Sequence, residues 1–111
     1  MTARVMVFAS IVPGKQEAFE AAFAEVTRKV KGTPGHIKDE LLQQEGDPNA
    51  YILLSEWESK EAFLAWEDAP IHKQTTTPMR PYWAGRIDRK MYEVAFRLDS
   101  VDTESIVKTG V

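Results

Sequence analysis

Residues 50–73 read AYILLSEWESKEAFLAWEDAPIHK, and the order of elements within that stretch decides the fold. Tyr51 to Glu56 is too apolar for a strand with one wet face, so it reads as a buried strand ending near Trp57. Ser59 then supplies an N-cap oxygen for a short helix, on which Phe63 and Trp66 stand three apart and share a face. Pro70 interrupts that helix, and Ile71 to Thr77 is expected to form a further helical turn before Pro78.

Working outward, Val5 to Val12 is apolar except for Ser10, and Pro13-Gly14 closes it as a first strand. Between Lys15 and Lys31 the residues Phe19, Ala22, Phe23, Val26 and Val30 recur at steps of three and four, which gives an amphipathic helix. Gly32 to Gly35 stops it. His36 to Gln44 is a more polar strand, Glu45 to Asn49 a turn, and Ala50 to Trp57 the third strand. Pro78 to Arg89 reads as loop, and Lys90 to Leu98 as a last strand with Tyr92, Val94, Phe96 and Leu98 on one face. The order β-α-β-β-α-β is that of an α+β, ferredoxin-like domain, with both helices on one face of an antiparallel sheet, spanning residues 1–98. The acidic tail 99–111, with Asp99, Asp102 and Glu104, is expected to be mobile or to clasp a partner.

The first strand is apolar on both faces, Val5, Val7, Ala9 and Ile11 against Met6, Phe8 and Val12, and the third repeats this. Two helices bury one set only. The other face is predicted to pair with a second copy, making a homodimer.

Composition narrows the function. The 111 residues carry a net charge of −3 with 28% charged side chains, leaving no basic surplus for nucleic acid or an anionic membrane. There is no cysteine, which removes disulfides, thiolate nucleophiles and cysteine-held metal sites. No run approaches the roughly 20 apolar residues of a membrane span, and a cytoplasmic location is the expectation. Nucleotide, flavin and zinc fingerprints are missing, and only His36 and His72 are available as imidazoles, so no resident metal is expected.

The residues left are an aromatic and basic set. His72 follows Pro70 on an irregular turn and is the candidate general base. The segment PMRPYWAGR, residues 78–86, joins two stiffening prolines to the flat surfaces of Tyr82 and Trp83 and the bidentate donors Arg80 and Arg86, as a lid over a planar anionic ligand would. Trp66 is placed at the cavity edge, Phe63 in the core with ligand contact as its alternative, and Trp57 in the core or an interface. His36, in a Pro-Gly-His turn, is assigned no role.

The strand, WES turn, AF-x-x-W helix and Pro-His end of residues 50–73 resemble the antibiotic biosynthesis monooxygenase superfamily and its haem-degrading relatives. The resemblance implies a dimeric α+β barrel. For the haem-degrading branch it implies a first-strand Asn, a helical Trp and an iron-ligating His. Trp66 matches the second; the first falls at or beside Phe8, and the third near Thr75, three residues after His72. Haem is therefore the alternative cofactor rather than the main expectation. The other branch implies cofactor-free oxidation or cyclisation of aromatic, polyketide-like molecules by oxygen. In that reading His72 is the base, Arg80 or Arg86 stabilises an oxyanion, and Phe8, Phe63, Trp66, Tyr82 and Trp83 contact the substrate. A cyclase and a non-catalytic small-molecule binder are the remaining alternatives.

Overall fold

The computed structural model describes residues 1–100. Its elements are β1 (Ala3–Ser10), α1 (Gln16–Val30), β2 (His36–Gln44), β3 (Asp47–Trp57), α2 (Lys60–Asp68), α3 (Pro70–Thr76), a 3₁₀ helix (Thr77–Tyr82) and β4 (Asp88–Glu93). The four strands form one antiparallel sheet in the order β2-β3-β1-β4. This is the ferredoxin-like α+β arrangement expected from the sequence.

The alternation of β1 divides the sheet. Ala3, Val5 and Ala9 face the helices and are buried, joined there by Phe19, Val26 and Val30 of α1, by Tyr51 and Trp57 of β3 and by Phe63 of α2. Phe19 sits at the centre, its ring 5.1 Å from Tyr51 and 5.4 Å from Trp83. The Tyr51 hydroxyl donates to Glu20 at 2.7 Å and pins α1 to β3. Burial, and then the bond to Glu20, push the Tyr51 phenol up to about 12, so it remains a donor at any working pH.

Met6, Phe8, Ile52 and Leu54 occupy the opposite face, paired across β1 and β3 and only half-buried. Glu56 lies there too, 3% exposed, with Arg97 at 3.1 Å and Arg4 and Lys38 at 3.9 Å. That burial is consistent with a carboxylate ringed by cations.

Two expectations are corrected. The last strand ends at Glu93, not Leu98: its ladder with β1 finishes with the Val94 N–H bonded to the Thr2 carbonyl, and Phe96 and Leu98 beyond it are 83% and 81% exposed. The segment read as loop from Pro78 contains the 3₁₀ helix: Pro78 stands in its first turn, where the fixed φ suits a helix and no amide donor is needed, while Pro81 lies inside it. Of the tail, residues 101–111, including Asp102 and Glu104, lie outside the described residues; Asp99 pairs with Arg97 at 3.2 Å.

The turn before β2 is tight against α2. Gly35 has φ +84°, and a Cβ there would overlap the methyl of Ala62. Gly35→Ala therefore meets both left-handed backbone strain and a clash, and is expected to lower unfolding free energy by about 2 kcal/mol or more in denaturant titration; an unchanged midpoint would show that α2 yields freely at this contact.

Candidate active site

The functional geometry begins at Ala69. It is extended, with ψ 138°, because the following proline disfavours the α region, and it ends α2 and starts α3. On one continuous helix Trp66 and His72, six residues apart, would sit roughly 120° apart around the axis and about 9 Å along it. The break folds them together: the rings meet edge to face at 5.1 Å.

The folded-back pair covers a cavity of about 260 Å³ between the helices and the sheet. Its floor includes Val5, Val7, Leu53 and Ser55; α1 contributes Phe23 and Val26; Phe63, Trp66, His72, Met79 and Trp83 form the roof and walls. The three tryptophans of the chain, Trp57, Trp66 and Trp83, all line it. The surface is mainly apolar with a few convergent polar groups, as in small-molecule sites.

Polar groups gather at the β4 side. Glu67 of α2 holds Arg89 of β4 through two bonds, at 2.6 and 3.0 Å, and the Arg89 guanidinium lies 5.5 Å from the centre of the Phe63 ring. Arg80 lines the cavity beside Thr76. His72 is held below its ordinary value of 6.5, chiefly by burial; Glu67 opposes this and Arg80 reinforces it. A neutral imidazole at pH 7 is the form a general base needs.

Of the residues singled out in the sequence, the fold brings together Phe63, Trp66, His72, Arg80 and Trp83. It does not bring in Phe8, Arg86 or Tyr82. Phe8 and Arg86 border an open groove on the opposite face with Ser10, Gln44, Ile52 and Asp88. Phe8 goes there by β-strand parity. Arg86 follows Gly85, whose φ of +80° turns the chain so that Ile87 and Arg89 face the cavity while Arg86 and Asp88 face away. Tyr82 packs on the core beside the cavity and its carbonyl accepts from the Val12 amide at 3.0 Å. Sequence reading overlooked Glu67, Arg89 and Asp39; extending the β4 alternation back to Ile87 would have found Arg89.

The fold and this helix-roofed cavity define a small ferredoxin-like α+β domain with an apolar site of small-molecule size. The sequence profile described as antibiotic biosynthesis monooxygenase matches residues 2–77, and the chain belongs to that family. The chain is 35% identical over 82 residues to protein SchA of Streptomyces halstedii, an alignment covering 74% of this chain but 22% of SchA. It is 34% identical over 57 residues to a heme oxygenase (mycobilin-producing) of Mycobacterium tuberculosis, covering 51% of this chain and 54% of that protein. SnoaB, a cofactor-independent oxygenase from Streptomyces nogalater, superposes with a TM-score of 0.75 at 18% identity, over 87% of this chain and 96% of SnoaB. That likeness is one of fold. Among the described residues no helix is long and apolar enough to cross a membrane.

The charge balance at His72 is testable by its NMR titration. Its midpoint is expected below 6.5; Glu67→Gln should lower it further and Arg80→Gln should raise it. A midpoint at or above 6.5 would contradict a desolvated imidazole.

Proposed function

We propose that the chain is a cofactor-independent oxygenase acting on a flat, electron-rich aromatic such as an anthrone-like molecule. The observation that carries this reading is the His72 imidazole, packed on Trp66 and lining an apolar slot walled by Trp66, Phe63 and Trp83, where burial favours its neutral form. An activated ring CH₂ gives its proton to His72, and Arg80 stabilises the resulting enolate oxygen. The carbanion passes an electron to O₂, and recombination of the radical pair forms a C–O bond, giving a peroxide. Proton return from His72 and loss of the second C–H proton with O–O cleavage leave a carbonyl and one water. The balance is CH₂ plus O₂ to C=O plus H₂O, so the substrate supplies every electron. The protein's part is base, orientation and exclusion of water.

Haem is a second reading, supported by the similarity to a heme oxygenase and by an imidazole beside Trp66. The residues fit it poorly. A cavity of about 260 Å³ falls under the roughly 300–1,000 Å³ typical of drug-sized ligands, and a porphyrin is no smaller than those. Phe8 faces the far side of the sheet, and its inward neighbours, Val7 and Ala9, carry no hydrogen-bonding side chain.

We also propose that two copies pair through the outer sheet face. Met6, Phe8, Ile52 and Leu54 form its centre, with exposed Tyr92 of β4 beside them. Light scattering at micromolar concentration should return the mass of two chains; a monomer would remove this step.

For the oxygenase reading, oxygen uptake with an anthrone substrate in chelator-treated protein should fall by about 10²–10⁴ in His72→Ala. Its acid limb should lie below 6.5, rate rising with pH as His72 loses its proton. Full activity in the variant would remove the base, and a Soret band on haemin titration that shifts in His72→Ala would favour haem instead.

A further inference from the structure

Opposite the His72 side, the cavity has a second polar end that the reaction above does not use. Asp39 of β2, Ser55 and Trp57 line it. The Asp39 carboxylate is held at both oxygens: His36 Nε2 lies 2.8 Å from Oδ1, and the Thr27 hydroxyl of α1 donates to Oδ2 at 2.5 Å. Side-chain exposure is 6% for His36 and 11% for Asp39, and the His36 ring packs edge-on against Trp57 at 5.0 Å.

This pairing is built by an irregularity in the strand. Residues three apart on a regular strand point to opposite faces. A register shift between His36 and Lys38 inserts one extra residue, so His36, opposite Trp57, and Asp39, opposite Ser55, both face the helices. Burying a carboxylate beside an apolar cavity is costly unless its lone pairs are used. Each Asp39 oxygen has one protein partner and retains capacity for another donor.

Position gives the group its meaning. Asp39 is on one edge strand and Arg89 on the other, three strand spacings or about 14 Å across the sheet. His72 is on the Arg89 side, since Glu67 both pairs with Arg89 and acts on the His72 charge. An elongated fused-ring ligand spanning the cavity would have its reacting carbon near His72 and its far ring at Asp39.

We propose that Asp39 reads a hydroxyl on the ring remote from the reacting carbon, accepting its hydrogen bond, with His36 and Thr27 as positioning residues. Phenolic fused-ring substrates are then selected over their ethers or unsubstituted analogues. The inference rests on the reading of the cavity as a flat-aromatic site, but not on oxygen chemistry.

A test uses a redox-inert pair, a hydroxyfluorenone with its hydroxyl on an outer ring and the corresponding methyl ether, followed by quenching of the three cavity tryptophans. The native protein should favour the phenol by roughly tenfold or more, the scale of one charge-assisted hydrogen bond. Asp39→Asn should bring the two affinities close together. His36→Gln, which keeps a donor to Asp39, should retain the preference that His36→Phe reduces. Equal affinities in the native protein overturn the proposal without any variant, and so does a preference that survives in folded Asp39→Asn. If neither ligand binds, the aromatic-site reading falls with it. A preference without oxygen uptake on anthrones leaves Asp39 in its role and removes the oxygenase.

Discussion

The exclusion of Ala69 from helical geometry by Pro70 is the constraint on which the site depends. Without that break, α2 and α3 would run as one rod and His72 would point away from Trp66. With it, the chain doubles back, the imidazole meets the indole at 5.1 Å, and the pair stands over the sheet. The imidazole and the aromatic wall are thus placed by one proline, and the partial burial that favours the neutral form of His72 follows from the same fold-back.

The sheet supplies the rest through parity. One face of β1 and β3 meets the helices and makes the cavity floor; the other carries Met6, Phe8, Ile52 and Leu54 and the buried Glu56. Charge in the cavity is held at its two edges, Asp39 on β2 and the pair formed by Glu67 of α2 with Arg89 of β4, with apolar side chains between. A ligand there would be fixed by its ends and desolvated along its length, the arrangement in which a few polar contacts set orientation.

Much of this was legible in the sequence, because local rules governed it. The 3.6-residue period of α1, the Ser59 cap, which accepts from the Ala62 amide at 3.1 Å, and the limits of β2 all follow from nearest neighbours. So did the association of Trp66 and His72 with a cavity, through Pro70. What escaped depended on events that residue spacing does not record. The bulge that aligns His36 with Asp39 arises from pairing with β3, so His36 seemed without purpose. Arg86 was grouped with Arg80 by closeness in sequence, yet Gly85 sends it to the other face. Phe8 entered the candidate set by resemblance, although its own parity with Met6 put it outside. The last strand was drawn too long because Val94, Phe96 and Leu98 alternate well, while alternation says nothing about whether a neighbouring strand is there to pair.

If a flat guest occupies the space beneath the Trp66–His72 fold-back, a crystal of the protein soaked with fluorenone or an anthraquinone should show planar density between Trp66 and the Val5–Val7–Leu53 floor, within hydrogen-bonding reach of His72 or Arg80. Density confined to the outer groove by Phe8 and Arg86, or a cavity closed by rotation of Trp66 into it, would leave the fold-back without a guest.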